Sequence, residues 1–181
     1  MKLTTFDIEG LLLIEPRVFH DDRGYFYESF NEDKYKEILG SDIRFVQDNI
    51  SCSKKNVLRG LHFQSPPFAQ GKLVTVLSGS VLDVAVDIRK GSSTYGKCQI
   101  IELSAENKKQ FWIPPGFAHG FLALEENSIF SYKCTNYYAP SHEHTLLWNA
   151  PELNIDWNVN DPIISDKDKI GQEFCTFVTP F

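Results

Sequence analysis

The sequence predicts an all-β fold, a sandwich or barrel with a few short peripheral helices, on three observations. Helical periodicity is scarce, short β-branched and aromatic runs recur at regular spacing, and turn residues separate them. A βαβ arrangement would instead alternate strands with long amphipathic segments. Leu11 to Ile14 is the first apolar run and stops short of Pro16, and Gly24 to Phe30 is an aromatic-rich segment. Asn31 to Leu39 is the best helix candidate: Asn31 caps it, Glu32 and Asp33 favour its first turn, and Gly40 stops it. Arg59-Gly-Leu-His62-Phe-Gln reads as a strand ending in a sharp, charged bend, with Lys72 ten residues beyond the histidine. Lys72 to Leu77 leads into Ser78-Gly-Ser80, a hairpin signal, and Val81 to Ile88 follows with Val/Asp alternation. After a turn at Gly91 to Gly96 come Cys98 to Leu103, Gln110 to Ile113, Gly120 to Leu124 and Ser128 to Cys134. Asn149 to Phe181 is polar and turn-rich, expected as short helices packed on the outside.

The 181 residues suit one domain spanning 1–181, and 42% hydrophobic with 13% aromatic content supplies a substantial core. A net charge of −6 argues against nucleic-acid binding, which needs a basic field, but allows a small anion held by local arginines. The N-terminus lacks the long apolar run of a signal peptide, and no stretch approaches the roughly 20 apolar residues of a membrane span. Cys52, Cys98, Cys134 and Cys175 form no CxxC pair; they are expected to be reduced and mostly buried, as in the cytoplasm.

Pro114-x-Gly116-x-x-His119 after an apolar strand matches the second half-motif of cupins, small jelly-roll barrels also described as double-stranded β-helices. The proline and glycine make a tight turn that sends the histidine toward the barrel mouth. A cupin metal site also needs His-x-His and a glutamate on the earlier strand. That place holds Leu61-His62-Phe63-Gln64, so a metal is not expected. Without a metal, His62 works alone or with a carboxylate, and histidine as a residue type suits a base at neutral pH. Arg59 and Lys72 would be costly inside a barrel unless an anionic ligand or intermediate needs them.

Eight stretches in order then carry a resemblance along nearly the whole chain. They are Asp22-Arg23-Gly-Tyr-Phe-Tyr-Glu28-Ser-Phe, Phe45-Val-Gln47-Asp-Asn49, Val57-Leu-Arg59-Gly-Leu-His62-Phe-Gln and Gln70-Gly-Lys72-Leu-Val. They continue through Asp83-Val-Ala-Val-Asp87-Ile-Arg89-Lys-Gly-Ser and Trp112-Ile-Pro-Pro-Gly-Phe-Ala-His119-Gly-Phe. The last are Tyr132-Lys-Cys-Thr-Asn-Tyr-Tyr138-Ala-Pro and Ile164-Ser-Asp-Lys167-Asp168. The chain resembles the dTDP-4-dehydrorhamnose 3,5-epimerases. That resemblance implies a cupin-like barrel and inversion of carbons 3 and 5 of a nucleotide-linked 4-keto-6-deoxy sugar through an enolate, without a cofactor.

The resemblance also implies roles. His62 would be the base, Tyr132 the acid, Asp168 the partner of His62, and Lys72 the cation near the 4-keto oxygen. Arg23 and Arg59 match diphosphate contacts, and Tyr138 the aromatic that stacks on the base. Glu28, Gln47, Asn49, His119, Glu143 and Lys167 match further ligand-facing positions. Asp83 stands where it would face the cavity near His62. The family forms homodimers with an exchanged N-terminal strand, so Arg23, Glu28 and Gln47 would complete the neighbouring subunit's site. Open alternatives are a single-site epimerase, a GDP-linked sugar or heptose, a nucleotide-sugar-binding cupin without catalysis, and a metal-dependent cupin.

Overall fold

The computed structural model describes residues 1–181. β1 (Lys2–Thr5), β2 (Leu12–Glu15), β3 (Val18–Asp21) and β4 (Gly24–Tyr27) precede α1 (Glu32–Leu39). β5 (Gln47–Ser53), β6 (Val57–Gln64), β7 (Lys72–Ser78), β8 (Ser80–Asp87) and β9 (Cys98–Ser104) follow. Then come β10 (Gln110–Ile113), β11 (Phe117–Ala123), β12 (Ser128–Cys134), β13 (Glu143–Thr145), β14 (Ile163–Ile164) and α2 (Asp166–Lys169). One sheet has the order β1-β2-β10-β7-β12-β5 and the other β13-β6-β11-β8-β9, with β14 added parallel to β6. Strands β3 and β4 form a separate hairpin. This is the cupin-like jelly roll that the sequence predicts.

Strand alternation explains three apolar layers. Val74, Val76, Phe111 and Phe130 of the first sheet meet Val81, Ala85, Leu103 and Phe121 of the second between the sheets. Leu58, Leu61, Val84, Val86 and Leu122 face outward from the second sheet, where Leu153 and Trp157 of the C-terminal stretch cover them. That stretch is therefore part of the core and not only an outer decoration. Ile14, Leu73 and Trp112 lie on the outer face of the first sheet beneath Tyr35 of α1. The cap at Asn31 forms, its side chain accepting from the Lys34 N–H at 3.2 Å, and Gly40 closes α1.

Four expectations need correction. Ser78-Gly-Ser80 is not a hairpin, because β7 and β8 belong to different sheets. Gly79, at φ +71°, carries the chain around a corner where a Cβ would stand 2.6 Å from the Ser128 hydroxyl. β11 begins at Phe117, ahead of Gly120, because the turn at Pro114–Gly116 is complete by then. β4 ends at Tyr27, and Phe30 instead packs on Tyr35 and Phe45. The cysteines are free but not mostly buried: Cys134 is, Cys98 is half-buried, and Cys52 and Cys175 are exposed. No helix is long and apolar enough to cross a membrane.

Candidate active site

A cavity of about 440 Å³ opens between the two sheets, and Arg59, His62, Lys72, His119, Tyr132, Lys167 and Asp168 all belong to its wall. A smaller space of about 90 Å³ shares His62, Lys72 and Tyr132 and extends to Gln47, Asn49, Tyr138 and Glu143. The three shared residues put the two side by side.

Strand geometry alone would not put both Arg59 and His62 in it. Residues three apart on a regular strand face opposite ways. The ladder between β6 and β11 slips between His119 and Phe121, so His62 pairs with His119 and Arg59 with Phe121. Gly60 makes the slip, with φ +128°; a Cβ there would lie 2.5 Å from the Gly120 Cα. This bulge turns Arg59 and His62 to the cavity while Leu58 and Leu61 both stay in the outer core.

Asp168 reaches the site from the far end of the chain. β14 lies beside the start of β6, and Ser165 caps α2 directly after it, its hydroxyl accepting from the Asp168 N–H at 3.2 Å. Asp168 Oδ1 is 2.6 Å from His62 Nε2, and its Oδ2 accepts from the Gly60 N–H at 3.3 Å. Burial alone would raise the carboxyl pKa, but the bonds from His62, Gly60 and Ser165 hold it below the usual carboxylate range. An ionised carboxylate only accepts, so Nε2 carries a proton, and in the neutral ring the lone pair therefore falls on Nδ1 of His62.

Opposite His62, Tyr132 comes from β12 of the other sheet, and burial chiefly raises its pKa above the usual phenol value. Lys72 begins β7, and its ammonium has no carboxylate within ion-pair distance. Burial lowers its pKa, against the opposing influence of Cys134, Asp83 and Glu143.

At the outer end, Tyr138 donates to Glu143 Oε2 at 2.8 Å, and Glu143 also pairs with Lys167. Burial would raise the Glu143 pKa, but Lys167 and Tyr138 hold it down. Gln47 accepts from the Tyr138 N–H at 2.9 Å and donates to Asn49 at 3.0 Å. The Arg59 guanidinium is steadied by Ser53 Oγ at 3.1 Å and the Cys52 carbonyl at 3.4 Å.

Arg23 and Glu28, expected at a neighbouring subunit's site, lie outside the cavity of their own chain: Arg23 is exposed on the β3–β4 turn and pairs with Asp21 at 2.5 Å, and Glu28 pairs with Lys34 at 2.7 Å. Two expectations about site residues are corrected. Gln47 joins the site of its own chain rather than a neighbour's, because β5 edges the same sheet as β12. Asp83 is sealed behind His119, its oxygens 3.0 and 3.1 Å from Nε2, and is not part of the cavity wall. Sequence reasoning missed Ser51, Ser165 and the stacked pair Phe121 and Phe130, whose ring centroids are 4.2 Å apart. The period-two run Gln47, Asn49, Ser51, Ser53 on β5 was the available signal for Ser51.

The family model described as dTDP-4-dehydrorhamnose 3,5-epimerase matches residues 5–175. The chain belongs to the dTDP-4-dehydrorhamnose 3,5-epimerase family. The dTDP-4-dehydrorhamnose 3,5-epimerase of Shigella flexneri is 52% identical over 174 residues, covering 96% of each chain. That of Pseudomonas aeruginosa is 53% identical over 175 residues, again covering 96% of each. A crystal structure of dTDP-6-deoxy-D-glucose-3,5-epimerase from Legionella pneumophila, in complex with dTDP-4-keto-L-rhamnose, superposes with a TM-score of 0.94 at 49% identity. That superposition covers 98% of this chain and 94% of the Legionella chain.

Proposed function

We propose that the protein inverts carbons 3 and 5 of a dTDP-linked 4-keto-6-deoxy-hexose, converting dTDP-4-dehydro-6-deoxy-D-glucose to dTDP-4-dehydro-L-rhamnose through an enolate. The observation that carries this reading is that His62 and Tyr132 enter one cavity from opposite sheets. Epimerisation next to a ketone needs a base on one face of the ring and an acid on the other. His62 Nδ1 removes the proton, and Asp168 stabilises the imidazolium that results. Lys72 faces the 4-keto oxygen, where its charge is worth more against the enolate than against the ketone. Tyr132, kept protonated by its raised pKa, returns a proton from the opposite side.

Arg59 and Lys167 suit the diphosphate, and Tyr138, with Gln47, Asn49 and Glu143, suits the base. His119 borders the sugar. The product would serve as a rhamnose or surface-polysaccharide precursor, made in the cytoplasm by a protein of one domain. The protein acts as a homodimer in this reading. The β3–β4 hairpin ladders with no other strand and exposes Phe19, Tyr25 and Phe26, which an exchanged strand would cover. That exchange would bring Arg23 and Glu28 to a partner's cavity. Sedimentation tests the dimer; a monomer at micromolar concentration removes it.

The test of the activity is to add dTDP-4-dehydro-6-deoxy-D-glucose and follow the sugar protons by NMR. Inversion at both carbons is expected. Inversion at one carbon identifies a single-site epimerase, and turnover of a GDP-linked 4-keto sugar alone overturns the nucleotide assignment.

A further inference from the structure

We infer that Gln64 is a positioning residue for recognition of the nucleotide base, acting through Tyr138 by fixing the backbone on either side of it; the inference rests on the nucleotide-sugar reading above. Gln64 lies two residues beyond His62 on β6 and is 5% exposed. Its amide makes three hydrogen bonds, all to backbone. Nε2 donates to the Phe68 carbonyl at 2.7 Å and to the Tyr137 carbonyl at 3.1 Å, and Oε1 accepts from the Ala139 N–H at 2.9 Å. Two of those three partners are the residues that flank Tyr138.

The need for such a clamp lies in Tyr138. It follows the end of β12 in a loop and is 54% exposed, so packing alone does not order its ring. Its N–H donates to Gln47 and its hydroxyl to Glu143, and Gln64 holds the chain as it enters and leaves. Ordering a loop aromatic before the ligand arrives removes that entropy from the cost of binding. The residue type matters, because a carboxamide supplies two N–H donors and a carbonyl acceptor from one side chain. In a metal-binding cupin the second histidine of His-x-His stands at this place, and an imidazole, with two nitrogens, could not serve all three backbone groups. Gln64, His62 and Tyr138 border the same small space, so one strand carries the proton acceptor and, one period further on, the support for the base-binding ring.

The test is a double-mutant cycle between Gln64→Met, which keeps the side chain's length and removes its hydrogen bonds, and Tyr138→Ala. It is read by calorimetric titration with dTDP and by steady-state kinetics. Expected are a Kd for dTDP raised about tenfold by Gln64→Met alone, and by less than about twofold once Tyr138→Ala is present, because stacking is what the clamp serves. KM should rise with Kd while kcat stays within about twofold, since a base contact is equal in ground and transition states. Gln64→Asn, which withdraws the same amide by one methylene, carries the cycle if Gln64→Met does not fold. Unchanged dTDP affinity in the Gln64 variant overturns the inference. So does an equal loss with and without Tyr138, which marks a structural role, and so does a loss confined to kcat, which places the effect at His62. If Tyr138→Ala leaves dTDP binding unchanged, the stacking role of Tyr138 falls and takes the inference with it. Wild-type protein that fails to bind dTDP overturns the nucleotide reading itself.

Discussion

His62 and His119 sit opposite one another on adjoining strands, and each bonds an aspartate through Nε2, yet their surroundings differ. The His62 side chain keeps 27% of its surface exposed to the cavity, and its carboxylate partner comes from a separate, C-terminal element. The His119 side chain keeps 7%, and its partner Asp83 is fully buried one strand away in the same sheet. Burial holds the His119 pKa below the usual histidine value in spite of Asp83. The lesson is that a His–Asp pair by itself does not define a base. Exposure to the cavity and an acid reaching it from the other sheet are what a base needs, and His62 is the more exposed of the two. On the proposed reading His119 is a neutral post beside the sugar.

The comparison can be broken most sharply at His62. His62→Asn should cost at least about 10²–10⁴ in kcat, the usual contribution of an acid/base group, while dTDP binding by calorimetry stays near wild type. Comparable turnover by the variant would return the base to another residue. Asp168→Asn should follow with a somewhat smaller loss in kcat, because the amide cannot stabilise imidazolium and favours the wrong tautomer. Its deficit should be in kcat, not in the affinity for dTDP.

Asp83→Asn sharpens the other side. Losing a carboxylate acceptor from a buried pair should lower stability by about 1–3 kcal/mol, a midpoint drop of about 2–10 °C in thermal unfolding. Activity should fall by no more than about tenfold, through a loosened His119.

A third carboxylate, Asp87, gives the smallest effect and lies outside the comparison as a purely structural group. Burial would raise its pKa, but Arg89, Ser92 and Thr94 bring it down to about 2. A depressed folded pKa means stability fully present above the unfolded value near 4 and lost as pH falls through about 2. Acid unfolding should therefore show an advantage of wild type over Asp87→Asn that shrinks by about 2 kcal/mol across that window, with activity near neutral pH intact.

Much of this was legible in the chain. The regular strand spacing, the α1 caps and the missing second histidine of a cupin metal site are local features, and local chemistry determines them. The site was legible chiefly through the family resemblance, since His62 and Asp168 are 106 residues apart and nothing in their spacing joins them. The bulge at Gly60 was not legible because a three-residue interval gives no period that a regular strand can use. Ser78-Gly-Ser80 misled for a related reason: a short Ser/Gly link serves a hairpin and a sheet corner equally, and the Ser128 contact that decides it is distant in sequence. Arg23 and Glu28 point away from the cavity of their own chain, so their part in any site depends on a second copy.

The central claim, that His62 rather than His119 takes the proton, is tested most directly by deuterium exchange. Wild type, His62→Asn and His119→Asn are each incubated with dTDP-4-dehydro-6-deoxy-D-glucose in deuterated water, and label at carbons 3 and 5 is read by NMR. The account predicts label at both carbons with wild type, slower label at both with His119→Asn, and none above background with His62→Asn. Label retained in His62→Asn and abolished in His119→Asn would contradict it.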